Sequence, residues 1–162
     1  MIEIVKGNIL DSEANFIVQC CDCGGSSESN FDKVLPHTEK ERMKYIRYCN
    51  KNNIESKGTS QFVPTEVWAL VMVDTMKNNN VPAFDSNYQY VVNMFCQSGF
   101  DGESNIDLKA MRKSLEDIRE KAKRIDATVS IAYNSLYANW NDFYNVVKKV
   151  FEKSDVNVEI WQ

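Results

Sequence analysis

The stretch Leu108–Ile160, LKAMRKSLEDIREKAKRIDATVSIAYNSLYANWNDFYNVVKKVFEKSDVNVEI, decides the fold. Leu108, Met111, Leu115, Ile118, Ala122 and Ile125 recur at steps of three and four, so they share one face of a helix, and Lys109, Arg112, Glu116 and Lys123 fall outside it. Val129 and Ile131 then mark a short buried strand. Phe143, Val146, Val147, Val150 and Phe151 return to helical spacing, and Val156, Val158 and Ile160 alternate as a strand does. Helices and strands in alternation need a sheet against which each helical stripe can be buried.

Toward the amino terminus, YQYVVNMFC (Tyr88–Cys96) and QFVPTEVWALVMVD (Gln61–Asp74) are rich in β-formers and read as two strands, with Pro64 at an edge or a bend. Ile2, Ile4 and Val5 form a first strand closed by Gly7, and Phe16-Ile17-Val18 opens a second; both read as interior. Gly24–Asn30 is a loop by composition. Thr38 and Glu41 have the spacing of a capping box for a helix carrying Met43, Tyr45 and Ile46, which fades near Asn50 before the turn-like KNNIESKG. The expected architecture is α/β, a three-layer αβα sandwich, with residues 1–162 forming a single domain. The sheet is expected to be mixed, because the strict βα repeat of a doubly wound fold is missing.

Composition narrows the function classes. A 43% hydrophobic content over 162 residues supplies one core and leaves no need for a second. The balance of 19 Lys and Arg against 23 Asp and Glu, a net charge of -4, lacks the positive field on which non-specific nucleic-acid binding draws. No apolar run approaches the ~20 residues that span a bilayer, and MIEIVKGNIL lacks the basic start and long apolar centre of a leader, so a cytoplasmic protein away from membranes is expected. Five cysteines cannot all pair within one chain, and Cys20, Cys21 and Cys23 crowd into one segment, which suits a reducing compartment. Beyond them only Cys49, Cys96 and the sole histidine, His37, remain, each isolated, so neither a metal nor another cofactor is expected. His37, between Pro36 and Thr38, reads as a helix-entry residue.

Taken in order, IEIVKGNILDSEANFIVQCCDCGG, GTSQFVPTEVWALVMVDTMKNNN, YQYVVNMFCQ and VVKKVFEKSDVNVEIWQ resemble a divergent macrodomain over nearly the whole chain. The similarity is to the small type related to phosphatases of ADP-ribose phosphate and to terminal ADP-ribose glycohydrolases, including phage-borne members. Its most specific parts are Lys6-Gly7-Asn8-Ile9 and the end, where a Trp-initiated helix precedes Ser154-Asp155-Val156 and an alternating strand. The resemblance implies recognition of ADP-ribose or a related adenine nucleotide. It puts Asn8 and Ile9 near adenine, Asp22 near the distal ribose, and two loops near the phosphates: Gly25, Ser26, Ser27 and Ser29 in one, Asn134, Ser135, Leu136 and Tyr137 in the other.

The chain departs from that pattern at most of these points. Asn8 stands where relatives carry an Asp, and its amide can both accept and donate. Asp22 replaces an Asn, which turns a neutral group into an anion that also becomes a weak candidate for a general base. A carboxylate 4 Å from a phosphate charge repels it by ~1 kcal/mol in water-like surroundings and ~4 kcal/mol at an effective dielectric near 20. Glu28 adds a second negative charge. The second loop, Ala132–Trp140, contains no glycine, so positive φ becomes costly there, and Asn134 and Asn139 are the residues best able to adopt it. Tyr133 and Tyr137 either stack on a ligand or pack into the vacated cleft. Gln97 and Leu136 fall where the glycohydrolases use a Lys and an Asp, and neither can do that chemistry.

Three readings follow. The first is a binder of ADP-ribose or an adenine nucleotide without catalysis, a pseudoenzyme. The second is a degenerate macrodomain that binds a protein partner, as an inhibitor or antidefence factor of a phage or mobile element. The third is an ADP-ribose phosphatase or glycohydrolase with Asp22 as base.

Overall fold

The computed structural model describes residues 1–23, 46–47, 49–51, 57–64, 89–97, 106–135 and 138–162, and of Asp22 and Pro64 only the backbone. Strands β1 (Ile2–Val5), β2 (Phe16–Asp22), β3 (Ser60–Pro64), β4 (Tyr90–Gln97), β5 (Val129–Ala132) and β6 (Val158–Trp161) form one sheet in the order β1-β6-β5-β2-β4-β3. Every pairing is parallel except β3 with β4, so the sheet is mixed. Helix α1 (Leu108–Ile125) lies between β4 and β5, and α2 (Trp140–Phe151) between β5 and β6.

Side-chain alternation along the strands decides which face each helix covers. Phe16 and Val18 of β2, Val92 and Met94 of β4, Val129 and Ile131 of β5, and Val158 and Ile160 of β6 share one face and one apolar core with the stripes of α1 and α2. Leu115 is 0% and Phe151 1% exposed, so both stripes fall where their spacing puts them. Asp107 caps α1 by accepting from the backbone N–H groups of Lys109 (3.0 Å) and Ala110 (3.1 Å). Lys57 pairs with the same carboxylate at 2.7 Å and, together with those N–H groups, holds it below its ordinary pKa. The chain leaves α1 through Asp126 in the left-handed region at φ 53°. Arg119 donates to the Val150 carbonyl at 3.0 Å, tying α1 to the last turn of α2.

The opposite face carries two smaller clusters. Ile9, Ala14, Ile17, Val63 and Val91 form one, and Cys21, Cys23, Cys49 and Phe95 the other, with Ile46 packed against it. Residues 46–47 and 49–51 are helical, so helical backbone lies on both faces of the sheet. Gly58 adopts φ +79°, and a Cβ there would stand 3.1 Å from the Lys113 side chain and 3.6 Å from the Ala110 backbone. Glycine therefore lets α1 approach this turn closely.

One sequence expectation changes, and two others extend beyond the described residues. β1 pairs only with β6 and is an edge strand with Ile4 47% exposed, whereas β2 is interior as expected. A run of four residues cannot reveal whether it has one neighbour or two. The strand expected over Gln61–Asp74 is observed as Ser60–Pro64, with Pro64 closing an edge strand, and 65–88 lies outside the described residues. The Thr38–Glu41 capping box and His37 also lie outside them.

Candidate functional site

Because β1, β2, β4, β5 and β6 run the same way, their carboxyl ends share one edge of the sheet. From β2 the chain crosses to residues packed on the face of Cys21 and Cys49; from β5 it enters α2 on the other face. β2 and β5 are adjacent, and the next described helical residues after them, 46–47 and 49–51 for the one and α2 for the other, lie on opposite faces of the sheet. This is the switch point at which open α/β sheets form a ligand crevice. The two loops that leave it are the ones the sequence singled out.

Three backbone hydrogen bonds link the neighbouring strand ends. Gln162 N–H donates to Val5 O (3.1 Å), Gly7 N–H to Gln162 O (3.3 Å) and Tyr133 N–H to Trp161 O (2.9 Å). The turn carrying Asn8 and the loop carrying Asn134 and Ser135 are thus attached to the two sides of β6.

Asn8 is exposed and caps the short 3-10 helix Ile9–Asp11, its Oδ1 accepting from Leu10 N–H at 3.1 Å. One acceptor site of the amide is therefore engaged, while a second lone pair and the NH2 group remain as chemistry for a ligand. Ile9 is 6% exposed and points into the cluster of Ala14, Ile17, Val63 and Val91, so its side chain is committed to the sheet face. The β2 backbone ends at Asp22 with a register shift between Cys21 and Asp22, and Cys23 N–H donates to Gln97 O at 3.2 Å. The shift leaves Cys96 of β4 as the extra residue between the two pairs. The Asp22 side chain lies outside the described residues, as do Gly25, Ser26, Ser27, Glu28, Ser29, Leu136 and Tyr137. Gln97 is buried at the end of β4.

In the second loop Asn134 is half-buried and Ser135 exposed. Among the described residues only Asp126, Gly7 and Gly58 have positive φ, so neither Asn134 nor Asn139 forms the left-handed nest considered for them. Asn139 instead has φ -67° and caps α2, accepting from Asn141 N–H at 2.9 Å. The Tyr133 hydroxyl donates to Ala138 O at 3.1 Å, and its ring lies edge-on to Trp140 (5.0 Å) and tilted against Phe143 (5.1 Å). Of the two roles considered for Tyr133, this geometry is that of packing, because the ring follows Ile131 onto the α2 side.

Two polar groups on the face opposite α1 and α2 carry no marker in the sequence. Gln19 Nε2 donates to Asn93 Oδ1 (2.8 Å) and Asn93 Nδ2 to Gln61 Oε1 (3.0 Å), a ladder across β2, β4 and β3. Glu159 Oε2 accepts from Ser130 Oγ (2.6 Å), Trp161 Nε1 (2.9 Å) and Ser12 Oγ (3.3 Å). Burial pushes the Glu159 carboxyl up, but donation from Ser130, Trp161 and Ser12 outweighs it and leaves the group below its ordinary pKa. The only available signal was a polar residue at the off-phase position of an apolar strand, which is equally the mark of a solvated face.

None of the five cysteines forms a disulfide. Burial, with a hydrogen bond to Cys20 and the nearby Cys20, Cys21 and Cys23 thiols, raises the Cys96 pKa well above its ordinary value, which suits a buried, unreactive thiol. Among the described residues no group of three His, Cys, Asp or Glu is placed to hold a metal ion, and no helix is long and apolar enough to cross a membrane.

No family model and no curated protein matches this sequence. Solved structures do match its three-dimensional form. A Streptomyces coelicolor macrodomain protein superposes with a TM-score of 0.71 at 18% identity, covering 100% of this chain and 99% of the other. The macrodomain of Thermus aquaticus DarG gives 0.70 at 13% identity, covering 100% and 98%. Thermosipho africanus DarTG, solved in complex with ADP-ribose, gives 0.71 at 14% identity over 98% of this chain and 41% of that one. Identities this low speak for shape alone, and with the mixed six-stranded sheet they show that this chain has the macrodomain fold.

Proposed function

We propose that this chain recognises ADP-ribose or a related adenine nucleotide at the carboxyl edge of its sheet, weakly and without breaking it down. The observation that supports this most is the switch point between β2 and β5, the place where open α/β sheets take up their ligands. The turn bearing Asn8 lies on the same edge. The likeness to Thermosipho africanus DarTG, solved with ADP-ribose, supports the ligand class.

In this reading Asn8 and the Ile9 backbone meet the adenine, Asp22 lies toward the distal ribose, and the residues from Gly25 to Ser29 and from Asn134 to Tyr137 surround the diphosphate. Weak affinity follows from the charge of Asp22 and Glu28 and from a second loop without glycine. The absence of catalysis follows from Gln97 and Leu136, whose side chains supply neither a nucleophile nor an acid. With no disulfides among its five cysteines, the protein suits the reducing cytoplasm.

Titration calorimetry with ADP-ribose, beside a release assay on an ADP-ribosylated substrate, tests the proposal. The expected result is a dissociation constant well above micromolar, tightened by Asp22→Asn with Glu28→Gly, and no enzyme-like turnover. No binding at millimolar ADP-ribose would reject the ligand, and rapid turnover would reject the absence of catalysis.

A further inference from the structure

The segment 7–12 joins β1 to the sheet's polar face and carries Asn8, and it is held at both ends by groups that meet on one carboxylate oxygen. At its start Gly7 has φ +148°, and the Trp161 ring lies 3.4 Å from where a Gly7 Cβ would stand. The indole N–H of that Trp161 donates to Glu159 Oε2 at 2.9 Å. At its end Ser12 is buried, its hydroxyl 2.7 Å from Ser130 Oγ and 3.3 Å from Glu159 Oε2, and it accepts from Ala14 N–H at 3.1 Å. Between these anchors the turn closes through Asp11 N–H to Asn8 O (2.9 Å) and Ser12 N–H to Ile9 O (3.1 Å).

We propose that Glu159 is a positioning residue of the candidate site: through Ser12, Ser130 and Trp161 it fixes the 7–12 turn and so sets where Asn8 stands on the ligand edge. The inference rests on the nucleotide-binding reading above. β6 has no contact role with a ligand in that reading; its part is to hold Glu159 at the register where it meets Ser130 of β5. A carboxylate suits this task because it accepts several donors at once, and an ionised acceptor makes stronger hydrogen bonds than a neutral one. The Asn8 amide is oriented locally by its cap bond from Leu10 N–H, so what the anchoring sets is the placement of the turn that carries it.

The test pairs ligand-free hydrogen exchange at the Asp11, Ser12 and Ala14 amides with ADP-ribose calorimetry, on the whole chain and on Glu159→Ala, Glu159→Gln and Ser12→Ala. Glu159→Ala is expected to speed exchange at these amides by about tenfold or more while the β4 amides stay protected, and to weaken ADP-ribose binding by a similar factor. Glu159→Gln, which keeps an acceptor, is expected to restore part of both. Ser12→Ala supplies the same comparison should Glu159→Ala fail to fold. Unchanged exchange at 11–14, or loosened exchange with unchanged affinity, would overturn the positioning role while leaving the nucleotide reading intact. Absence of ADP-ribose binding in the unaltered protein would overturn the nucleotide reading and the positioning role with it.

Discussion

The two faces of the sheet hold their layers in different ways. Toward α1 and α2 the strands present Phe16, Val18, Val92, Met94, Val129, Ile131, Val158 and Ile160, and cohesion comes from apolar contact. Toward the other side the same strands present Gln19, Asn93, Ser130 and Glu159 among Ile17, Val91 and Phe95. Apolar contact is strong but tolerant of angle, since dispersion and water exclusion carry no directional demand. Hydrogen bonds add little net stability and fix geometry, because a buried group that loses its partner is penalised. The face covered by α1 and α2 therefore holds the domain together, and the polar face ties down the turn that leaves β1.

The largest effects should fall on the apolar face. Leu115→Ala and Phe151→Ala each remove a fully buried side chain from the shared core and are expected to cost about 2–5 kcal/mol in chemical denaturation. A loss below about 1 kcal/mol at both would show that the stripes do not carry the core.

On the polar face Asn93→Ala would strand the donor of Gln19 and the acceptor of Gln61 that now meet on it, for an expected loss of about 1–3 kcal/mol. Equilibrium unfolding would measure it. Asn93→Ala matching Leu115→Ala would erase the contrast between the faces.

Acid should act on the polar face through Glu159. The folded Glu159 carboxyl lies below its ordinary pKa, so its stabilising contribution is present above the unfolded carboxylate range and is lost as pH falls through the folded value. Glu159→Gln is therefore expected to flatten the fall in stability below the ordinary glutamate range, leaving the slope due to Asp107, whose carboxyl is lowered chiefly by its hydrogen bond to Lys57. Urea midpoints collected from about pH 6 down to about pH 3 would reveal the change, and an unaltered acid slope would show that the Glu159 cluster contributes nothing to it.

The smallest effect belongs to neither face. Arg112 and Glu116 form an exposed i,i+4 pair at 2.9 Å on the outer side of α1, and Arg112→Ala is expected to change stability by under about 0.5 kcal/mol. A larger loss in the same denaturation experiment would place the outer helix surface on a par with the polar face.

How much of this was legible depends on the length over which a pattern repeats. α1 offered six apolar positions in 18 residues, and the observed helix matches them because only one helical phase turns them all to the core, with Met111, Leu115, Ile118 and Ala122 buried and Leu108 and Ile125 half-buried at the ends. β1 offered four residues, and whether it sits inside the sheet or at its edge depends on partners far away in sequence. At the candidate site the resemblance marked Asn8 and Asn134, and the fold puts both on the carboxyl edge. It could not anticipate that Asn8 uses its own oxygen as a cap, that Ile9 turns into the core, or that Tyr133 packs onto α2.

The sequence by itself determined the α/β class, the two amphipathic helices and the apolar stripes, because periodicity is a local property and burial energy follows it. Only the tertiary structure decided the order of the strands, the switch point between β2 and β5, and the meeting of Ser12, Ser130 and Trp161 on the Glu159 carboxylate. Ser12 and Glu159 are 147 residues apart, and no local pattern encodes a hydrogen bond between groups that meet only after the sheet has closed around them.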